Sequence, residues 1–357
     1  VIDHPEPSIE HPAEAKLKIL DVGICGTDKE IVAFQYGTPP DGSEYLIIGH
    51  ESLAEVVEVG SAVTHLKPGD LVVTSVRRPC GHSDCLACSV GRQDFCYTGD
   101  FFERGIKQRH GYMTEFVVEQ AKYMSVVPPT LREVGVLVEP LTIAEKGLTQ
   151  LWQIQQRLPW ACPVEPGKGQ AYCHKALVLG AGPVGLLGAM KLVIDGFQTF
   201  VYSKADPGDL RRTVVEQIGA TFIQAETNSL DQMAEQIGNI DVVYEAVGAS
   251  QLAFEVLERL GTNGVFIFTG VPGRKAPISV DTDRLMRDLV LKNQISFGTV
   301  NASIESFRDG IHDLAEFLGR WPEAVKSIIS HRYSIDDAVI PLSGKAGGIK
   351  TVIAVHS

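Results

Sequence analysis

The sequence has few basic residues relative to acidic ones, with 32 lysine and arginine residues and 44 aspartate and glutamate residues. The formal net charge is −12 over 357 residues. A field of this sign repels nucleic-acid backbones and anionic lipid surfaces, so we expect no nucleic-acid partner. The deficit is moderate for this length and does not indicate adaptation to extreme salt.

Long apolar runs are also missing. No uninterrupted stretch approaches the roughly 20 residues that a membrane-spanning helix needs. The opening segment, VIDHPEPSIEHPAEAK, has neither the basic start nor the apolar core of a secretion signal. These absences predict a cytoplasmic protein with no membrane partner. The opening segment also has no initial methionine and no obvious first strand, which is compatible with a truncated N-terminus.

Cysteine is scarce and unevenly placed. The chain has 7 cysteines, an odd number, and four of them lie between positions 80 and 96. Close spacing of this kind favours metal binding over a disulfide framework, and it fits a reducing compartment.

A length of 357 residues predicts two domains. A composition of 44% hydrophobic and 21% charged residues is typical of a folded protein. The first third consists of short β-branched and apolar stretches separated by Gly, Pro and Asp, as in an irregular β-barrel. From about residue 150, strands alternate with amphipathic helices, which predicts a parallel sheet with helices on both faces. We expect a catalytic domain at 1–153 and 305–357, with a nucleotide-binding α/β domain at 154–304 inserted into it.

A glycine-rich turn lies at the start of the predicted α/β domain. Gly180, Gly182 and Gly185 form a G-x-G-x-x-G pattern between an apolar strand and a helix, with Pro183 and Val184 inside it. The first glycine permits the tight turn, the second lets the backbone approach a pyrophosphate, and the third lets helix and strand pack closely. Turn glycines before helices are common, so this dinucleotide site depends on its strand and helix context.

The end of the next strand predicts which dinucleotide binds. NAD sites usually place an acid there for the ribose 2′-OH. This chain has Ser203 and Lys204 instead, with Arg211 nearby, which would tolerate a 2′-phosphate. The sequence therefore favours NADP, with NAD also accepted. Alternatively, the basic residues form a solvated helix start, and Asp206 and Asp209 weigh against a strong phosphate preference.

The cysteine cluster predicts a closed structural zinc site in a lobe at 80–96. Four thiolates are the ligands that such a site needs. The expected ligands are Cys80, Cys85, Cys88 and Cys96. The first gap is longer than usual, so His82 could replace Cys80, and an accidental group of thiols is the alternative to any metal.

A second set of residues has the ligand types of a catalytic zinc. Cys25 lies in C-G-T-D, and His50 and Glu51 lie in G-H-E. Glu139 lies in an apolar run where a carboxylate is costly unless paired or bound to metal. A thiolate, an imidazole and carboxylates can hold zinc with a position open for substrate. Each residue alone could instead be a packed or surface residue, and Glu139 could pair with Lys146 or begin a helix.

The order of these motifs, with K-P-G-D at Lys67–Asp70, resembles the zinc-containing medium-chain dehydrogenases over nearly the whole chain. Several segments are similar to the glucose 1-dehydrogenase subgroup of that family. They are Arg77–Cys80, Gly91–Cys96, Phe102–Ile106, His110–Met113, Glu139–Leu141, Ala144–Lys146 and Asn301.

The resemblance implies a GroES-like catalytic domain, a Rossmann nucleotide domain, and a catalytic and a structural zinc in each chain. It implies oxidation of β-D-glucose and related aldoses at C1 to the lactone, with NADP or NAD as hydride acceptor. It also implies a homo-oligomer, either a tetramer or a dimer. Polyol, threonine or alcohol dehydrogenases share this metal chemistry and remain alternatives, and a non-enzymatic zinc-ribbon module is a more distant one.

The resemblance also assigns residue roles. Cys25, His50, Glu51 and Glu139 hold catalytic zinc in combinations that vary through the cycle, with water as a further ligand. Sugar hydroxyls are contacted by Thr27, Glu103, Glu139 and Asn301, and Asn301 is also expected at the cofactor. Val76 stands where some members have a polar Asn, which leaves the preferred aldose open.

Overall fold

The computed structural model describes residues 2–273, 277–344 and 347–356. Two compact units divide the chain. One unit contains Val1–Thr142, Asn301–Arg320 and Ile328–Ser357, and the other contains Ile143–Val300 and Trp321–Ser327. These divisions differ from the expected boundaries at 153/154 and 304/305, which stay a prediction.

The strands of the N-terminal part are β1 (Glu14–Gly23), β2 (Glu51–Val59), β3 (Leu71–Thr74), β4 (Arg77–Arg78), β5 (Phe102–Arg104), β6 (Gln108–Arg109), β7 (Phe116–Gln120) and β8 (Met124–Val127). Its helices are α1 (Gly26–Val32), α2 (Leu86–Ser89) and α3 (Val138–Gln155). Short 3-10 turns occur at Gln93–Phe95, Ala121–Tyr123, Pro129–Leu131 and Gly135–Leu137.

The central part alternates strictly between strand and helix. Its elements are β9 (Lys175–Leu179), α4 (Pro183–Ile194), β10 (Gln198–Ser203), α5 (Leu210–Gln217), β11 (Thr221–Gln224), α6 (Leu230–Ile237), β12 (Val242–Glu245), α7 (Ser250–Leu257), β13 (Val265–Phe268), α8 (Thr282–Leu291) and β14 (Ile295–Gly298). The six strands form a parallel sheet in the order β11-β10-β9-β12-β13-β14. Its central strands are buried and apolar, as expected of a sheet covered on both faces.

The C-terminal part contains α9 (Ile304–Arg320), α10 (Pro322–Ile328), β15 (Ile329–Ser334), a 3-10 turn at Ile335–Asp337, α11 (Val339–Leu342) and β16 (Lys350–Ala354). β15 and β16 return to the first sheet, which has the order β15-β16-β1-β2-β3-β8, with β7 also paired to β1. Alternating side chains of β1 fill the core between these strands. The expected fold class, a GroES-like barrel with a Rossmann parallel sheet, is confirmed.

A disulfide joins Cys162 to Cys173 in the segment between α3 and β9, with the two Cα atoms 5.8 Å apart. No prediction was made for this pair, because the metal-binding interpretation concerned the four cysteines between positions 80 and 96. The spacing of Cys162 and Cys173 gave no sign of pairing, because they approach each other only where the chain folds back around Trp160 and His174, whose rings stack at 4.2 Å. Within the described ranges, no helix combines the length and apolar character required to cross a membrane.

Candidate active site

Cys25, His50 and Glu51 form a cluster of candidate metal ligands in the first unit, which we call the metal cluster. Cys25 follows β1 as the N-cap of α1, and His50 and Glu51 lie at the start of β2. β1 and β2 are antiparallel with Gly23 opposite Glu51, which brings both strand ends together. The three candidate ligand atoms lie within 4.8 Å of one another. Zinc bonds of about 2.0–2.3 Å place ligand atoms roughly 3–4 Å apart, so this spacing suits one shared ion.

Asp28 holds this cluster in place, and the sequence analysis gave it no role. Its Oδ2 accepts a hydrogen bond from the Cys25 amide at 2.8 Å, and its Oδ1 accepts one from the Gly49 amide at 3.2 Å. Its Oδ1 also lies 3.5 Å from Nδ1 of His50. The position of Asp28, three residues after an N-cap cysteine, was the available sequence signal.

The electrostatics of the cluster favour a cation. Burial alone would lower the pKa of His50, but the charge of Asp28 and contacts with Cys25 raise that pKa well above its usual value. Burial alone would raise the pKa of Asp28, but His50 and the Cys25 amide lower it. The Nδ1 atom of His50 is buried and makes no hydrogen bond to any residue that the structure describes. The mixed sulfur, nitrogen and oxygen donors therefore fit a zinc ion.

A buried lysine, also missed by the sequence analysis, lies beside Glu51. Lys350, on β16, forms an ion pair with Oε2 of Glu51 and donates to the Ile24 carbonyl oxygen at 3.0 Å. Both side chains are 3% exposed or less. A Cβ on Gly23 would lie 2.1 Å from Oε2 of Glu51, so only glycine leaves room for this pair.

Glu139 lies in the first turn of α3, outside the three-residue cluster but within its electrostatic reach. Burial raises the pKa of Glu139 to about 7, against the charge of His50 and together with that of Glu51. The proposed partner Lys146 donates to the Val300 carbonyl oxygen at 3.0 Å. The Thr27 hydroxyl lies 4.0 Å from the sulfur of Cys25.

Glu103 and Asn301, two of the residues expected to contact sugar, are hydrogen-bonded to each other in the first unit. Glu103, on β5, is buried and accepts a hydrogen bond from Nδ2 of Asn301 at 3.0 Å. Gly105 follows it closely, and a Cβ there would lie 2.4 Å from the carbonyl oxygen of Gly49. The backbone after Glu103 thus touches the backbone just before His50. Val76 is a buried apolar residue.

The four lobe cysteines also come together. The sulfur atoms of Cys80, Cys85, Cys88 and Cys96 lie within 4.8 Å of one another. His82, the alternative ligand, instead pairs with Asp100 at 2.9 Å. The arrangement suits a tetrahedral site with four sulfur ligands.

The glycine-rich turn has the geometry of a dinucleotide site in the second unit. Gly180 has a φ of +94°, and a Cβ on Gly185 would lie 2.1 Å from the Gly180 carbonyl oxygen. Gly182 is the N-cap of α4, followed by Pro183 and Val184 in its first turn. A Cβ on Gly182 would meet no described atom within 4 Å, which leaves space for a pyrophosphate at the helix N-terminus.

Ser203, Lys204 and Arg211, the residues expected at the ribose 2′ position, lie at the end of β10 and after it. The hydroxyl of Ser203 accepts a hydrogen bond from the Ala181 amide at 3.3 Å, which fixes it beside the glycine turn. Lys204 is exposed. The backbone amide of Arg211 donates a hydrogen bond to Asp209, and the guanidinium of Arg211 lies 4.0 Å from the same carboxylate. Asp209 therefore partly neutralises the charge that Arg211 could offer to a phosphate.

Glu245, at the end of β12, was not singled out from the sequence. Its Oε1 accepts hydrogen bonds from the amides of Val247 and Gly248, both at 2.7 Å, and its Oε2 accepts one from the Gly270 amide at 3.1 Å. Glu245 thus links the loops that follow β12 and β13 through three hydrogen bonds, an arrangement that we call the Glu245 clamp. A Cβ on Gly180 would lie 2.6 Å from the side chain of Val247. The Glu245 clamp therefore borders the dinucleotide turn.

Comparison with known proteins gives the family. Residues 132–355 match the glucose dehydrogenase C-terminus family, and residues 11–129 match the alcohol dehydrogenase GroES-like domain. Glucose 1-dehydrogenase of Methanocella arvoryzae is 36% identical over 99% of this chain and 94% of that protein. Glucose 1-dehydrogenase of Metallosphaera sedula is 38% identical over 93% of this chain and 88% of that protein.

Solved structures agree with the sequence comparisons. Haloferax mediterranei glucose dehydrogenase in complex with NADP, Zn and gluconolactone has a TM-score of 0.87 and 29% identity, covering 100% of this chain and 96% of that one. The chain therefore belongs to the glucose dehydrogenase subgroup of the zinc-dependent medium-chain dehydrogenases. The family assignment and the expected enzyme class, a nicotinamide-dependent oxidoreductase, are confirmed.

Proposed function

We propose that the protein oxidises β-D-glucose and related aldoses at C1 to the aldonolactone, with NADP or NAD as hydride acceptor. The observation that carries this proposal is the backbone contact between Gly105 and Gly49. Glu103, two residues before Gly105, and its hydrogen-bond partner Asn301 offer the polar groups that a polyhydroxy substrate would need. A small alcohol would leave this buried pair unused.

The metal site would be formed by Cys25, His50 and Glu51, with Glu139 as a further ligand. Bound zinc supplies Lewis acidity, which lowers the pKa of the C1 hydroxyl. Thr27 places a hydroxyl beside Cys25, where it can hydrogen-bond the oxygen at C1.

The remaining residues orient the substrate and the cofactor. Glu103 and Asn301 hold sugar hydroxyls so that C1 stays at the metal cluster. The turn at Gly180–Gly185 binds the pyrophosphate of the dinucleotide. The oxidation removes a hydride from C1, which passes to nicotinamide C4, and a proton from the C1 hydroxyl, which passes to solvent.

An initial-rate panel of aldoses, alditols, threonine and ethanol, run with NADP and NAD before and after chelation, tests the reaction. We expect aldoses to have the highest kcat/KM, and chelation to abolish turnover. A preference for alditols, threonine or ethanol would favour the polyol, threonine or alcohol dehydrogenase alternative.

The two proposed metal sites are separated by mutation. Cys25→Ser and His50→Ala should lose one zinc ion per chain and reduce activity more than about 100-fold while keeping the wild-type circular dichroism spectrum. Cys88→Ser should lose the other zinc ion and mainly lower the melting temperature, because the lobe has few apolar residues of its own. Elemental analysis measures the zinc content of each variant. Full activity of His50→Ala would contradict the metal assignment.

A preference for NADP is supported by Ser203, Lys204 and Arg211, which offer a hydroxyl and two cations where NAD sites offer an acid. Lys204→Ala should raise the KM for NADP several-fold and leave the KM for NAD unchanged. A kcat/KM for NAD equal to that for NADP in the wild type would contradict this preference.

We also propose that the protein is a homo-oligomer, a dimer or a tetramer. β14 is the terminal strand of its sheet, and α8 just before it has no buried residue. Val290 and Leu291 are 69% and 64% exposed, which suits a contact with a second copy of this chain. Light scattering should show a monomer for Val290→Glu, and no change for the control Val339→Glu on α11. A wild-type monomer would contradict the proposal.

The cytoplasmic location of the protein stays a prediction.

A further inference from the structure

The orientation of the Glu103 carboxylate depends on a neighbouring buried arginine. We infer that Arg77 is a positioning residue for sugar recognition, which engages one carboxylate oxygen of Glu103 and leaves the other for substrate hydroxyls. This inference rests on the proposed function. It adds a residue that acts through Glu103 and sets the strength of sugar binding.

The two oxygens of Glu103 have different surroundings. Oε1 accepts hydrogen bonds from Nε of Arg77 and from Nδ2 of Asn301, both at 3.0 Å, and lies 3.0 Å from Nη2 of Arg77. Oε2 makes no hydrogen bond to any residue in the described ranges. Because a carboxylate oxygen in a largely buried side chain needs a donor, Oε2 is the atom available to a ligand.

Arg77 is itself held rigidly. Arg77 and Glu103 are direct cross-strand partners in β4 and β5. The guanidinium of Arg77 lies over the Phe101 ring at 3.6 Å from its centroid, and its Nη1 donates to the Asp94 carbonyl oxygen at 3.3 Å. Nε and Nη2 therefore meet Glu103 in a fixed geometry that the single ammonium of a lysine cannot reproduce.

Asn301 cannot replace this function. Its backbone has a φ of +59°, and its side-chain oxygen accepts the Ala302 amide at 2.9 Å. Only its Nδ2 group faces Glu103, so it provides a single donor. Without Arg77, the Glu103 carboxylate keeps only this one donor and is held less firmly, so sugar hydroxyls lose an oriented acceptor.

The test compares Arg77→Lys with Arg78→Lys. Arg78 is the matched control, because it is also a buried arginine on β4 but pairs with Glu119 rather than Glu103. We expect Arg77→Lys to raise the KM for glucose about tenfold, with kcat within about twofold and the KM for NADP unchanged. Arg78→Lys should leave the KM for glucose within about twofold of wild type.

A double-mutant cycle shows whether Arg77 acts through Glu103. In a Glu103→Gln background, Arg77→Lys should raise the KM no further, whereas independent roles would give multiplied effects. Phe101→Leu, which loosens the guanidinium without removing it, should give a smaller rise in KM and keeps the test open if Arg77→Lys folds poorly. Multiplied effects in the cycle, or an equal rise in KM for Arg78→Lys, would overturn the inference.

The failure of the proposed function has a separate signature. A zinc-loaded wild-type enzyme that oxidises no aldose would overturn the proposed function itself. A wild-type enzyme that oxidises glucose, combined with an unchanged KM in Arg77→Lys, would overturn only the positioning role of Arg77.

Discussion

At the scale of single residues, the metal cluster depends on a carboxylate that is not one of its proposed ligands. Asp28 accepts the Cys25 amide and the Gly49 amide, and it faces His50. A carboxylate 3.5 Å from an imidazole nitrogen stabilises the ring electrostatically and favours one ring orientation. The arrangement of Cys25 and His50 thus depends on Asp28, which contacts the Cys25 and Gly49 amides and the His50 ring.

Replacement of Asp28 by Asn keeps the size of the side chain and removes its charge. We expect Asp28→Asn to weaken zinc binding about 10–100-fold, which is typical for the loss of an outer partner of a metal ligand. Competition with a chelator measures this directly, and excess zinc should restore activity. Unchanged zinc affinity would show that His50 is oriented without Asp28.

Several residues of the site could be predicted from the sequence, and others could not. Cys25, His50 and Glu51 lie in short local motifs whose chemistry is visible in a single chain. Lys350 is far from Glu51 in sequence and reaches it only because β16 pairs with β1. Its contact follows from the sheet order, which no local pattern contains.

At the scale of elements, the small sheet β4-β5-β6 connects the cysteine lobe to Glu103, one of the residues proposed to bind sugar. No sequence pattern predicts this sheet, because its strands are two or three residues long and arginine-rich. Arg77 and Arg78 can be buried because acids on other strands neutralise them. Arg78 and Arg104 both pair with Glu119 on β7, at 2.8 and 2.9 Å.

This ion-pair network predicts how stability depends on pH. Burial alone would raise the pKa of Glu119, but Arg104 and Arg78 lower it to about 2. The stabilisation is therefore complete above the ordinary glutamate pKa of 4.5 and is lost as the pH falls toward about 2. Glu119→Gln should cost about 3–5 kcal/mol at pH 7, because it leaves buried arginines unpaired.

Urea unfolding at several pH values checks the Glu119 prediction. The difference in unfolding free energy between wild type and Glu119→Gln should be constant from pH 7 to about pH 5 and should shrink below it. Glu115→Gln is the control, since Glu115 is an exposed acid just before the same strand. A difference that stays constant down to pH 3 would contradict the lowered pKa.

The Glu245 clamp gives a second prediction at this scale. Glu245→Gln replaces an acceptor by an amide donor that faces backbone N–H groups, which loosens the loops after β12 and β13. We expect the KM for NADP to rise several-fold and the KM for glucose to change by less than about twofold. Equal changes in both constants would indicate general destabilisation instead.

At the scale of the whole molecule, each kind of chemistry belongs to one part of the chain. All the candidate ligands of the catalytic metal lie within Val1–Thr142, and the glycine turn lies within Ile143–Val300. The alternation of strand and helix predicted the second unit well, since hydrophobic periodicity is a local signal.

The disulfide of the second unit has a practical consequence for limited digestion. Residues 163–168 between the paired cysteines are exposed, and Lys168 offers trypsin a cleavage point. A cut at Lys168 would leave the N-terminal and C-terminal fragments tethered through sulfur. Electrophoresis without a thiol reagent would then show one full-length band, and addition of the reagent would release two.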